Sequence, residues 1–204
     1  MTVQDIIDNT LKLLLEDNSF DGGIDDKTAS IMQISALPRA YSKIVDLAPS
    51  TSLFASSTKA YTSPDENDVI GGKYGLSWKL PDDFIKLVSA KVSEWTLPLY
   101  IVTDNSKLGA QRGRYSRSDN TRPSMFIDGP FLRTYSGSSA ASTCSIVYIP
   151  TIDFSVPTTT VVISGKVLPQ LYYVAAGLTR EILGDEKEGQ LLISRGLDMA
   201  VQQQ

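Results

Sequence analysis

Leu87-Val88-Ser89-Ala90-Lys91-Val92-Ser93-Glu94 is the stretch on which the fold turns. Leu87, Ser89, Lys91 and Ser93 fall on one side of an extended chain, and Val88, Ala90, Val92 and Glu94 on the other. Side chains alternate between faces in a strand, so this period of two reads as a half-buried β-strand. Everything before Leu76 that shows a period at all shows a longer one, and the longer period returns near the C-terminus.

Working outward on the C-terminal side, Leu97 to Val102 is an apolar run and is expected to form a second strand. Met125 to Ile127 and Phe131 to Tyr135 flank Asp128-Gly129-Pro130, which predicts a hairpin. Ser145 to Ile149 carries the strongest strand signal, and Thr159 to Ser164 a weaker one. On the N-terminal side, Ser50 to Gly75 is rich in Ser, Thr, Asp and Gly and reads as loop, with a short strand within Leu53 to Tyr61.

Helices frame this region. Val3, Ile6, Ile7, Thr10, Leu11, Leu14 and Leu15 recur at three- and four-residue steps, with Thr2 as the cap and Asp5 near the positive end of the dipole. A second helix is expected over about Asp25 to Leu47, capped by Asp25, Asp26 or Thr28 and kinked or split at Pro38, which lacks a backbone donor and clashes with the preceding turn. Val167, Leu171, Val174, Ala175, Leu178 and Ile182 form the stripe of a third helix, expected to pack on the sheet and to stop at Gly184. Asp185 caps a last helix carrying Leu191, Leu192, Ile193, Leu197 and Ala200. Helices, then antiparallel strands, then helices define an α+β fold. The expectation is one domain over 1–204: a helical bundle from 1–48 and 168–204, and a β-rich region at 76–164 with a basic loop at 106–123.

Composition narrows the function. Hydrophobic residues are 42% and charged residues 21%, a globular balance. No apolar run reaches the roughly 18–20 residues of a membrane helix, and the first residues lack the basic start of a signal peptide. One cysteine, Cys144, excludes an internal disulfide and fits a reducing cytosol. There is no histidine. That removes Ser-His-Asp and Cys-His nucleophile systems, His-ligated metal sites and the usual neutral-pH base.

Asp17 to Thr28 resembles a calcium loop, with Asp17, Ser19, Asp21 and Asp25 at the ligand positions and Gly22 at the sharp turn. Thr28 stands where a bidentate Glu belongs, so the expectation is a polar inter-helix loop holding a cation weakly at most. Gly71-Gly72-Lys73 lacks the rest of a phosphate loop and reads as a turn. Asp65, Glu66 and Asp68 read as a solvated acidic loop; the alternative, a metal-dependent hydrolase, would need partners elsewhere. Lys107, Arg112, Arg114, Arg117 and Arg122, with Tyr115 among them, are the one basic concentration. They fit contact with nucleic acid phosphates or an acidic partner, and a small nucleic-acid-binding module is the second alternative function. Trp78 and Trp95 are expected to pack in a core or interface. No cofactor is expected.

Three stretches, in order, carry a resemblance. They are Ser77-Trp78-Lys79-Leu80-Pro81-Asp82-Asp83-Phe84-Ile85-Lys86-Leu87; Cys144-Ser145-Ile146-Val147-Tyr148-Ile149-Pro150; and Leu171-Tyr172-Tyr173-Val174-Ala175-Ala176-Gly177-Leu178 with the helix after it. The succession resembles the head-to-tail adaptor proteins of short-tailed phages, the tail tubular protein A type, with a further likeness to ring proteins of crAss-like phages. The resemblance spans about Leu76 to Gln204. It implies a non-enzymatic homo-oligomeric ring of about twelve copies in the virion, at the head–tail junction, assembled in the bacterial host cytoplasm. Its partners would be the portal protein, the tail nozzle or next ring protein, and double-stranded DNA passing during genome ejection, with no membrane. Leu191, Leu192, Ile193 and Leu197, and the tail Gln202-Gln203-Gln204, are then the expected portal and subunit interface. About twelve copies at −4 each give a ring of roughly −48, a field that discourages DNA from sticking.

Overall fold

The computed structural model describes residues 1–16, 25–48, 53–70, 73–103, 118–135 and 142–201. The chain is α+β, with helices at both ends and a central β region. It divides into two compact units, Met1–Ala55 with Thr151–Gln204, and Ser56–Pro150.

The first unit is helical. Helix α1 (Val3–Glu16) begins with a reciprocal cap: the Asp5 amide donates to Thr2 Oγ1 at 3.2 Å, and the Thr2 amide donates to Asp5 Oδ2 at 2.7 Å. The bond from the Thr2 amide, and after it a hydrogen bond between the carboxylate and the Thr2 hydroxyl, hold the Asp5 carboxyl below its usual range. Val3, Ile6, Ile7 and Leu14 are buried, as the periodicity expects, whereas Leu15 is exposed.

Helix α2 (Asp26–Ile31) runs into a π-helical segment, Met32–Ala36, and then helix α3 (Leu37–Leu47). Pro38 sits in the first turn of α3, and the Leu37 amide reaches back to the Met32 carbonyl, five residues away. The wider turn is where the chain accommodates a residue with no amide to donate, so the proline resets the helix rather than ending it. Tyr41 on α3 packs edge-on against Phe54 and Phe154, at 5.8 and 6.0 Å between ring centroids.

Helix α4 (Leu168–Leu183) is buried on nearly all sides from Leu171 to Arg180. Its partners are α1, α3, the π segment and helix α5 (Glu186–Val201). The expected packing of its stripe on the sheet is therefore corrected: a helix buried on nearly all sides is a central helix, and here other helices cover it. Gly184 ends α4 at φ +98°, the left-handed position that favours glycine. Arg180 is fully buried, and its Nη1 lies 3.1 Å from Asp185 Oδ2. A buried guanidinium costs several kcal/mol unless paired, and Asp185, just past the turn, supplies the carboxylate. Helices α4 and α5 approach closely because Gly177, Gly189 and Gly196 lie at the crossing.

Among its described residues the second unit holds seven strands: β1 (Ser57–Tyr61), β2 (Glu66–Ile70), β3 (Lys73–Lys79), β4 (Phe84–Val92), β5 (Ser124–Asp128), β6 (Phe131–Tyr135) and β7 (Cys144–Pro150). They form two antiparallel sheets, ordered β1-β7-β4 and β2-β3-β6-β5. Their inner faces share one core: Leu76, Trp78, Met125 and Leu132 from one sheet, and Ala90, Val92, Cys144, Ile146 and Tyr148 from the other. The β5–β6 hairpin turns at Gly129 (φ +56°) and Pro130, a left-handed first position followed by a fixed φ, as the hairpin reading expects.

Three strand readings change. Glu66–Ile70, read as loop, is β2, because an edge strand tolerates the charges that mask its pattern. Leu97 to Val102 is not a strand; Leu99 alone bridges Ala90 at the β4 edge. Thr159 to Ser164 contributes two isolated bridges, Thr2 to Thr160 and Phe54 to Ile163. The alternation in β4 is also interrupted, by register shifts between Phe84 and Lys86 and between Leu87 and Ser89.

Candidate interaction surfaces

Of the basic concentration, Lys107, Arg112, Arg114, Tyr115 and Arg117 lie outside the described residues. Arg122 is exposed at the return of that segment. There Asp119 Oδ1 accepts from the Thr121 and Arg122 amides, both at 2.8 Å, and from the Thr121 hydroxyl at 2.6 Å. The turn is thus built by an aspartate, which brings a carboxylate close to the Arg122 backbone.

Of the calcium-loop residues, Asp17, Ser19 and Asp21 also lie outside the described residues. Asp25 caps α2: its Oδ1 accepts from the Thr28 amide at 2.8 Å and from the Thr28 hydroxyl at 2.7 Å. Those bonds, the hydroxyl first, hold its carboxyl below the ordinary range. Thr28 is buried, so the residue at the twelfth loop position serves the helix start. Asp65 Oδ2 accepts from the Lys79 amide at 2.7 Å. Among the described residues, no three His, Cys, Asp or Glu side chains gather closely enough to hold a metal ion.

Both tryptophans are core residues. Trp78 is fully buried and its indole donates to Thr134 Oγ1 at 2.9 Å. Trp95 is also buried, and its indole nitrogen has no acceptor among the described residues. Burying an aromatic of this size removes roughly 150–250 Å² from water, about 4–6 kcal/mol each.

Two of the quoted motif stretches meet. The amide of Phe84 donates to the Pro81 carbonyl at 3.0 Å, and Leu80 donates to Pro130 at 2.8 Å, so Leu80-Pro81-Asp82-Asp83-Phe84 folds into a turn opening β4. Asp83 Oδ1 accepts from the Tyr148 hydroxyl at 2.9 Å, the Phe84 ring stacks on Tyr148, and Phe84 lies opposite Pro150. Burial, with Asp83 adding to it, holds the Tyr148 hydroxyl above its ordinary pKa.

On α5, Ile193 is buried against α4 at Gly177, Leu192 and Leu197 are half-buried, and Leu191 is 57% exposed. Ile182 and Leu183, near the end of α4, are exposed as well. Arg195 lies 4.8 Å from the Tyr173 ring centroid, a cation–π contact that ties α5 to α4. Gln202, Gln203 and Gln204 lie outside the described residues.

The sequence reading missed one surface. Leu97, Tyr100 and Ile101 are 72%, 67% and 80% exposed. Their loop is held at its base by paired backbone bonds between Ala90 and Leu99, at 2.9 and 2.8 Å. The signal was present: Leu97-Pro98-Leu99-Tyr100-Ile101-Val102 has no polar alternation, which a strand with one wet face should show. Near Cys144, the β1-β7-β4 sheet also carries an open concavity of about 360 Å³.

Among the described residues, no helix is long and apolar enough to cross a membrane. No protein-family model matches the chain, and the search of curated proteins gives no match either.

Proposed function

We propose that this chain is a structural assembly protein: a subunit of the homo-oligomeric ring that joins the portal of a short-tailed phage to its tail and lines the DNA channel. The observation that carries the reading is bulky apolar exposure on each unit: Leu97, Tyr100 and Ile101 on the β unit, and Ile182, Leu183 and Leu191 on the α4–α5 hairpin. Exposed apolar groups on held elements mark contact surfaces. The order of the three motif stretches gives the kind of assembly, and the packing of Asp83 and Phe84 on Tyr148 gives two of those stretches a shared structural role. On this reading the portal attachment uses the exposed side of the α4–α5 hairpin, and no catalytic step belongs to the chain.

The test is imaging of the purified protein, alone and mixed with portal-bearing heads. Hollow rings, and their capture by heads, are the expected result. Leu191→Ser should impair capture without lowering the melting temperature; deleting α5 is a poor substitute, because it would bare the buried face of α4. A protein that never forms rings and never joins heads sinks the reading. So does DNA binding by the monomer that weakens steeply with salt, or metal-dependent turnover, since these are what the two alternative functions predict.

A further inference from the structure

We propose that copies of this chain join through the Leu97–Ile101 loop of one copy, seated in the concavity near Cys144 on the β1-β7-β4 sheet of another. The inference rests on the assembly reading above and names the contact between subunits.

The donor is a preformed knob. Leu97, Tyr100 and Ile101 stand in solvent, so they do not fill the concavity of their own copy. Their loop starts two residues after the buried Trp95 and is pinned to β4 by the Ala90–Leu99 pair. A loop held in this way loses little further conformational freedom on binding. Its chain from Leu97 to Ile101 carries no charge.

The acceptor is hollow because most of its residues are small. Six of its eight lining residues, Ala60, Thr62, Ser93, Thr143, Cys144 and Ser145, are small; Tyr61 is the one ring and Lys91 the one charged residue there. The surface these residues offer is mostly carbon. A large apolar side chain can enter without displacing a bulky one, and no carboxylate in the lining has to be stripped of water. Lys91 is exposed, so its ammonium can stay in water while its stem covers the knob.

A second copy is the occupant the observations favour. Knob and hollow lie on the same compact unit, and each is uncovered in its own chain among the described residues. Two complementary patches on one surface are what self-assembly requires.

The test uses the full chain and two variants at exposed positions. The donor variant is Leu97→Ser with Tyr100→Ser and Ile101→Ser. The acceptor variant is Ser145→Arg, which fills the hollow; Ala60→Arg fills it from the neighbouring strand and replaces Ser145→Arg should that change alter the melting curve. Analytical ultracentrifugation over a concentration series reads the association. Wild type should associate, and each variant should associate about a hundredfold more weakly. An equimolar mixture of the two variants should recover complexes, because one keeps its loop and the other its hollow. Variants that associate as wild type does, or a mixture without recovery, overturn the contact and leave the assembly reading standing. Wild type that stays monomeric at the highest concentration overturns the contact, and the assembly reading falls with it when the protein also fails to join portal-bearing heads.

Discussion

Gly177→Ala is the perturbation that most directly tests how the helical unit is closed. An added Cβ would lie 2.5 Å from the Gly189 carbonyl oxygen, 2.7 Å from Ile193 Cγ1 and 2.9 Å from the Ile193 amide nitrogen. Two of those three atoms are backbone, so relief requires α5 to move away from α4, and that loosens the Ile193 contact as well. Overpacking of this kind costs about 1–3 kcal/mol, against which alanine returns up to about 1 kcal/mol of helix propensity. Because the clash is with main chain, the upper part of the range applies, for a net loss of about 2 kcal/mol. For a chain of this size that lowers the melting temperature by about 4–8 °C. The assay is thermal unfolding followed by far-ultraviolet circular dichroism at 222 nm, with Gly165→Ala as control, since a Cβ at Gly165 meets nothing within 4 Å. A Gly177→Ala protein that melts with or above wild type would refute the claim that glycine sets the α4–α5 separation.

Other outcomes follow from individual bonds. Thr134→Val leaves the buried Trp78 indole without its acceptor and should cost about 1–3 kcal/mol in urea unfolding monitored by tryptophan fluorescence; an unchanged midpoint would mean the indole finds another acceptor. Asp25→Ala should destabilise the helical unit at neutral pH. The Asp25 carboxyl is held low in the folded chain, so its contribution is present above the unfolded carboxylate pKa and lost as pH falls through the folded one; the wild-type and variant melting curves should therefore converge in acid. Burial pushes the Cys144 thiol up to about 12, so a disulfide reagent at pH 8 should label it only as the chain unfolds, and rapid labelling of the native protein would contradict that burial. With the sign running the other way from Asp25, Cys144 favours the folded chain less as pH rises from about 8.5, its unfolded value, toward 12.

The order of elements was legible because helix and strand periods differ and three of the helices carry a cap or a stop in the sequence. Thr2, Asp25 and Gly184 act where the sequence places them, and Asp128-Gly129-Pro130 turns the hairpin. What was hidden had a physical cause in each case. Strand β2 lies at a sheet edge, where charged residues in the sequence are tolerated. The Leu97 loop imitated a strand because apolar content alone does not separate burial from exposure. Helix α4 showed a stripe in sequence, but Gln170, Thr179 and Arg180 are buried too, each hydrogen-bonded, so its polar residues concealed a central helix. The candidate contact surface was less legible than the fold: the hollow near Cys144 gathers residues from β1, β4 and β7, and no local pattern links them.

The helical unit is assembled from two stretches of chain separated by the entire β unit, and this orders its synthesis. Ser56–Pro150 is complete before α4 leaves the ribosome, and its first and last strands are already neighbours, with Ser57 opposite Tyr148. The β unit therefore has all its partners while α1 and α3 still lack theirs. At about 5–20 residues per second, the helices made first wait roughly 5–30 s for the helix that covers them. During that interval Ile6, Leu14, Leu37 and Ile44 have no α4 to pack on. Nascent chains arrested with about 150 residues exposed should then show a protease-resistant β unit behind cleavable N-terminal helices. Whatever shields those helices in the cell must act on the growing chain, before the last quarter of the protein exists.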